Sequence, residues 1–446
     1  MKTKLSIILS IFLSLTVTAQ TFTKTTISNA NANGAMGILE KEINGDSHMD
    51  LIGTSTNSNT VMYFINNGNG TFTQHIIDNN LNQAAYADAY DLDGDGDLDF
   101  TAVGYTDLVW YENDGNLNFT RHDITSLNDP TFVRAYDVDS DGDGDIGVAI
   151  FGENYITGFF NDGNGNFNRM NLISIAGPRV FNGGDFDGNG NADVLLSSFT
   201  GNEIAWYSFN GFTFIKHAVA TNFNGAYGVE GSDIDGDSDY DIVAAASNSN
   251  EIAWFENNGN GSSFIKHSID TNMAHAIQVH VIDIDNDGDK DVVATGFGNT
   301  NGGSTTNHQV AIYYNDGNQN FNKVVVDNTG MGPTNLSVFD FTGNGAVDIA
   351  FAASVGDEFV LLSNNNASIS EVTEKSFEVY PNPAKDFINI SSDQTIRLIQ
   401  IFDLTGRKIL ETKQQSISID KFPEGHYVIQ INYENGKVAA RKLIKL

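Results

Sequence analysis

The chain has no cysteine among its 446 residues, which excludes disulfides, thiolate catalysis and thiolate metal ligation. Positive charge is also scarce: 23 Lys or Arg face 57 Asp or Glu, a formal net charge of -34. That balance argues against nucleic acid or an anionic membrane as a partner and makes cations the natural counterpart. Long apolar runs are missing beyond the N-terminus. Residues 5–17 are shorter than the roughly 20 residues of a membrane helix. With Lys2 and Lys4 before it and Val17-Thr18-Ala19 at its end, the run reads as a secretory signal over residues 1–19, cleaved to expose Gln20. The mature chain is therefore expected to be exported and to have no transmembrane segment. Only six prolines stand against 44 glycines, a turn-dense composition that points to an all-β fold.

What recurs is a nine-residue acidic loop with carboxylates or amides at alternate positions. Its seven copies begin at Glu42, Asp91, Asp137, Asp185, Asp233, Asp283 and Asp340, so successive starts differ by 49, 46, 48, 48, 50 and 57 residues. Such a period marks a repeat architecture. The candidate metal ligands are Glu42, Asn44, Asp46 and Asp50 in the first copy and Asp91, Asp93, Asp95, Asp97 and Asp99 in the second. The third offers Asp137, Asp139, Asp141, Asp143 and Asp145, and the fourth Asp185, Asp187, Asn189, Asn191 and Asp193. The fifth has Asp233, Asp235, Asp237, Asp239 and Asp241, the sixth Asp283, Asp285, Asp287, Asp289 and Asp291, and the seventh Asp340, Asn344 and Asp348. Two carboxylates about 4 Å apart repel by about 4 kcal/mol at an effective dielectric near 20, so a loop this acidic is expected to close around a cation. Calcium suits it, because it takes six to eight hard oxygens in flexible geometry, whereas magnesium demands a strict octahedron. Side chains at positions 1, 3, 5 and 9 are expected to coordinate, with position 7 giving its backbone carbonyl. An EF-hand or dockerin-like loop would need helical flanks and a late acidic residue at position 12. Here position 9 is acidic and the flanks are β-branched. The seventh copy, with two carboxylates, also reads as a plain acidic turn, and the first is intermediate.

Each repeat carries a second signature: a strand ending in aromatics, an Asn-Gly or Asp-Gly turn, then Phe and another strand. Trp254-Phe255-Glu256-Asn257-Asn258-Gly259 leading to Phe264 is one example. These are hairpins. With the apolar segments before and after each acidic loop, every repeat supplies four strands, which describes a propeller blade. The post-hairpin strand begins at Phe72, Phe119, Phe167, Phe214, Phe264 and Phe321, but the seventh repeat lacks one. The missing copy stands at the other end, in Phe22-Thr23-Lys24-Thr25-Thr26-Ile27. The expected fold is a seven-bladed β-propeller over residues 20–366, closed by its N-terminal strand so that no sheet edge is left between blades. A linker, 367–375, leads to a C-terminal domain, 376–446, whose charge is nearly balanced. Its short alternating runs predict a small β-sandwich, with Leu404-Thr405-Gly406 as a hairpin turn.

The loops and Gly-rich hairpins together resemble the FG-GAP/VCBS repeat family, the calcium-loop propellers also seen in integrin α-subunit heads. The C-terminal part carries Tyr380-Pro381-Asn382-Pro383-Ala384, Ile401-Phe402-Asp403-Leu404-Thr405-Gly406-Arg407, Pro423-Glu424-Gly425-His426-Tyr427 and Lys442-Leu443-Ile444-Lys445-Leu446. In this order the segments resemble the type A sorting domain of the type IX secretion system in Bacteroidota. That resemblance implies transport across the outer membrane by the type IX machinery, and a secreted or outer-surface location. The propeller resemblance implies recognition of a glycan or protein partner.

Other motifs weigh less. Gly142-Asp143-Gly144-Asp145-Ile146-Gly147 matches a dinucleotide-loop spacing, but its carboxylates would repel a pyrophosphate and no helix follows. His75, His122, His217 and His267 recur at one strand position in different blades, which suits packing rather than zinc. Trp110, Trp206 and Trp254 likewise read as blade core more than as a sugar platform. The polar, Gly-rich insertion 296–309 reads as a tolerated excursion or as a recognition loop. No catalytic constellation stands out, so a non-enzymatic binding or adhesion module is expected. The alternative is a polysaccharide-degrading enzyme, or an accessory part of one, which a convergent acid/base group on one propeller face would favour.

Overall fold

The computed structural model describes residues 20–139, 141–163, 165–301, 304–365, 377–392, 395–403, 408–423, 425–433 and 438–445, and these contain strands and no helix. The signal sequence, the linker 367–375 and the turn at 404–406 lie outside the described residues. The chain divides into two compact units, Met1–Asn366 and Ala367–Leu446.

Among its described residues the first unit contains seven four-stranded antiparallel sheets in a propeller-like arrangement. Numbered along the chain, their inner strands are Ala35–Lys41, Tyr86–Tyr90, Pro130–Tyr136, Pro178–Gly184, Ala226–Ser232, Ala276–Ile282 and Pro333–Phe339. Each touches the inner strand of the next sheet, and Pro333–Phe339 touches Ala35–Lys41, completing the cycle. Burial follows the strand order. The second strand of sheet five, Asp241–Ala246, is buried along its whole length, whereas the outer strand, Phe264–Asp270, mixes half-buried and exposed residues. A strand covered on both faces needs small or β-branched apolar residues, and after the buried Asp241 the run IVAAA supplies them.

The N-terminal strand Phe22–Ser28 pairs antiparallel with Glu358–Asn364 and forms the outer strand of sheet seven. Gln20 extends this clasp to sheet six: its Nε2 donates to Ile284 O at 3.1 Å, and it accepts from Tyr314 Oη at 2.9 Å. The turns following the third strands are longer than a two-residue hairpin. In sheet two, residues 114–118 lie between the strands and Asp114 N donates to Asn118 O. Gly115 there has φ 76.

Inner strands of neighbouring sheets are cross-linked by polar side chains three residues before the acidic loops. Asp88 accepts from Ala135 N at 3.1 Å and lies 3.8 Å from the guanidinium of Arg134. Glu230 accepts from Val281 N, and its other oxygen is 2.6 Å from His280 Nδ1. Ser337 Oγ donates to Glu40, joining sheet seven to sheet one. The insertion in sheet six forms a short ribbon pairing Asn299–Asn301 with Ser304–Thr306.

The second unit has a three-stranded sheet, Glu378–Tyr380, Phe387–Ser391 and Ser416–Ser418, and a four-stranded one, Lys408–Thr412, Ile396–Asp403, Gly425–Tyr433 and Val438–Lys445. Ile388, Ile390 and Ile417 of the first share one core with Ile399, Ile401, Ile429 and Leu443 of the second.

Candidate functional site

In each propeller sheet the acidic loop joins the inner to the second strand. The strands alternate in direction, so the acidic loops and the loops after the third strands share one end of the unit. Position 9 of every loop is the first residue of the second strand: Asp50, Asp99, Asp145, Asp193, Asp241, Asp291 and Asp348, all buried. Its role is to pin the loop. Asp241 Oδ2 accepts from Ile234 N at 3.0 Å and Oδ1 from Asn257 N at 2.8 Å. Asp99 and Asp291 repeat both bonds with Leu92 and Asn113, and with Ile284 and Asn315. In sheet seven the Oδ2 donor is Thr342 N, one residue later. Position 1 holds the turn: Asp233 accepts from Gly236 N at 2.8 Å and from Ser238 N at 3.0 Å.

Positions 1, 3 and 9 converge in five loops. In Asp91/Asp93/Asp99, Asp137/Asp139/Asp145, Asp185/Asp187/Asp193, Asp233/Asp235/Asp241 and Asp283/Asp285/Asp291, one oxygen from each carboxylate lies within 4.8 Å of the other two. Positions 5 and 7 stand outside these groups. Position 5 turns back on the loop, as in Asp95 Oδ1 accepting from Asp97 N at 2.9 Å. Position 7 leans on the loop after the third strand: a Cβ at Gly115, Gly163, Gly259 or Gly317 would meet Asp97, Asp143, Asp239 or Asp289 at 2.8 Å or less. The first loop has Asn44, and the seventh Thr342, where the others have a second aspartate, and neither forms such a group among the described residues. Asn344 is engaged at both ends of its amide, donating to Asn364 O and accepting from Ala346 N.

The donor set fits a hard cation. Asp137 Oδ1 and Asp285 Oδ1 are buried without a hydrogen-bond partner, and a buried carboxylate oxygen left unpaired is costly. Burial, as the main cause, pushes Asp99, Asp241 and Asp291 up to about 7, and Asp193, Asp285 and Asp348 up to about 6. Neighbouring carboxylates act in the same direction, and the backbone donors oppose them. A divalent ion held by oxygens at positions 1, 3 and 9 would relieve this desolvation and repulsion together.

One set of anchors is not evident from the sequence alone: the first Asn of the third-strand endings in every sheet but the fourth. Asn257 is buried, and its Nδ2 donates to Phe186 O of the preceding sheet's loop and to Tyr240 O. Its Oδ1 accepts from Gly259 N and Gly261 N. Asn66, Asn161 and Asn315 make the same bond to Phe341, Leu92 and Ile234. Recurrence of Asn two residues before the loop glycine was the available signal. Sheet four breaks it with the exposed Phe209.

The recurring histidines stack on the third strands: His122 on Trp110, His217 on Trp206, His267 on Trp254 and His75 on Tyr63. The three tryptophans are buried. Between sheets five and six a cleft of about 740 Å³ is lined by Asp235, Trp254, Glu256, Lys266, His267 and Asn320 among others.

The FG-GAP-like repeat model matches residues 43–102, 91–148, 185–244 and 233–294, so that each match runs from one acidic loop to the next. The secretion system C-terminal sorting domain matches residues 378–446. The chain thus carries FG-GAP-like repeats and a secretion sorting tail. The tail marks the chain for type IX secretion, to the outer surface or the medium. Among solved structures, the FG-GAP-repeat chain resembles the extracellular domain described for a hybrid two-component system of B. thetaiotaomicron. The two share 12% identity with a TM-score of 0.51, over 95% of this chain and 57% of that one. An Agrocybe aegerita lectin that recognises non-reducing terminal N-acetylglucosamine matches at 18% identity and TM-score 0.45, over 78% of this chain and 86% of that one. No curated protein sequence matches the chain.

Proposed function

We propose that the FG-GAP-repeat unit is a calcium-dependent binding module for a glycan or protein outside the cell, and not an enzyme. The observation that carries this reading is the position of Asp235, which belongs both to the three-carboxylate group of the fifth loop and to the wall of the cleft between sheets five and six. A cation there fixes one wall of the cleft, and ligand affinity then depends on the metal. The cleft offers carboxylate, ammonium, imidazole and amide groups, the mixture that pairs with sugar hydroxyls or with a polar peptide. The acid/base groups on the inner strands support a binding role over hydrolysis, because they are already engaged. Glu230 is tied to His280 and Val281 N, and Asp88 to two backbone N–H groups.

A glycan-array screen of the calcium-loaded chain, repeated in chelator and run beside polysaccharide degradation assays, tests the proposal. Binding that disappears in chelator and weakens at least about tenfold in Glu256→Gln is expected. Affinity indifferent to calcium, or release of sugar products, would sink it.

A further inference from the structure

The opposite end of the propeller unit, away from the acidic loops, holds a different chemistry. Arg179 is the second residue of the inner strand Pro178–Gly184, and its guanidinium lies 4.3 Å from the ring centre of Phe151, 5.2 Å from Phe199 and 5.3 Å from Tyr227. The rings come from sheets three, four and five. Phe151 and Phe199 directly follow second strands and Tyr227 is the second residue of an inner strand, so all three share that end. The rings brace one another: Phe199 meets Phe151 at 6.5 Å and Tyr227 edge-on at 6.2 Å. Gly177, at φ 56, leaves room for Phe151, since a Cβ there would come within 2.9 Å of the ring.

In a chain with 57 acidic residues, Arg179 has no carboxylate partner and no hydrogen-bond acceptor among the described residues, and its Nε is buried unsatisfied. Acids near the same end of these sheets are taken by other cations: Glu153 by Arg169, Glu203 by Lys216 and Glu251 by Lys266. The seven residues of Pro178–Gly184 put about 20 Å between Arg179 and its acidic loop, more than twice the Debye length of about 8 Å at physiological salt. The loops' negative charge is therefore largely screened at this site. A guanidinium fork matches a carboxylate in two-point geometry, and half-buried aromatic rings offer stacking area to the C–H face of a pyranose.

We infer that Arg179, Phe151, Phe199 and Tyr227 form a binding site for an acidic saccharide, with the guanidinium taking the carboxylate of a uronic acid. The inference deepens the glycan-binding reading and rests on it, but it places this recognition at the end of the unit remote from the cleft.

The test is calorimetric titration of the calcium-loaded full chain with trigalacturonate and with its methyl ester, for the parent, Arg179→Met and Arg179→Lys. The expected result is that the acid binds at least about tenfold tighter than the ester. Arg179→Met should lose this preference, and Arg179→Lys should keep only part of it, because an ammonium lacks the planar fork. Thermal melts of the three proteins accompany the titrations, and Tyr227→Leu serves as a second probe if Arg179→Met does not fold. Equal binding of acid and ester, or unchanged affinity in the folded Arg179 variants, would overturn the site. So would hexaglutamate binding as tightly as the saccharide, since recognition would then be of an acidic peptide. Loss of glycan binding in Glu256→Gln but not in Arg179→Met would leave the cleft reading standing and remove this one.

Discussion

At the scale of residues, the aspartate at position 9 carries opposite consequences with and without metal. In the metal-free protein, burial raises Asp99, Asp241 and Asp291 to about 7, and Asp193 and Asp348 to about 6, well above an unfolded carboxylate. A raised folded value means stability that is fully present below the unfolded value near 4 and lost progressively as pH climbs from there through 6 to 7. In chelator, acidifying from pH 8 to 5.5 should therefore raise the melting temperature by a few degrees. In excess calcium the same change should lower it, because protons then compete with the ion for these oxygens. Melting curves at both pH values, with and without calcium, decide the matter, and parallel shifts would be the wrong outcome. Asn257 offers a second residue-level prediction. Asn257→Ala leaves Phe186 O, Tyr240 O and two loop N–H groups without the partner they have now, at about 1–3 kcal/mol for each buried group left unpaired. Phe212→Ala, at a side chain 95% exposed in the turn of sheet four, should stay within about 0.5 kcal/mol of the parent. Denaturant titration of the two variants would measure the contrast.

At the scale of elements, the strands and their phase were largely legible, because the acidic loop and the Phe after the hairpin mark each repeat twice. The N-terminal strand was readable for the same reason: a repeat missing its fourth strand at one end of the chain matches a spare strand at the other. The inner-strand cross-links were not legible. Position three before the loop is Asp88, Arg134, Asn182, Glu230, His280 and Ser337 in successive sheets, and chemistry that changes from repeat to repeat leaves no period to detect. Arg179 and its rings were not legible either: Phe151 and Phe199 share one repeat position and Arg179 and Tyr227 another, but the chemistry at the second changes from Arg to Tyr and nothing in the sequence ties the two positions together. Deletion of residues 20–28 tests the closing strand. It would strip the pairing from Glu358–Asn364, break the Lys24 contacts to Glu358 and Asp327 at 3.1 and 3.6 Å, and expose a strand edge. Calorimetry should show a lower and broader transition, with dimers or aggregates by light scattering. A deletion variant that melts as sharply as the parent would mean that pairing elsewhere holds the sheets together.

At the scale of the whole molecule, charge and export divide between the two units. The acidic loops concentrate negative charge at one end of the propeller unit, while the tail, residues 376–446, has ten Lys or Arg against eight Asp or Glu. Each unit has its own core. Among the described residues, Phe377, Ile388, Ile401, Ile429 and Leu443 form a cluster of the tail's own. Among the described residues, the seven four-stranded propeller sheets are built from strands of the first unit. The propeller is therefore expected to fold without the tail, and export is expected to need it, because the sorting domain matched at residues 378–446 lies wholly within it. A chain ending at Asn366 should melt with the parent's calcium dependence yet remain in the periplasm of a host with type IX secretion. A reporter bearing a signal peptide and residues 376–446 should reach the surface or the medium. Fractionation with immunoblotting reads both results. Secretion of the shortened chain at the parental level would show that the address lies in the propeller, leaving the tail's two sheets to be explained as a second binding module.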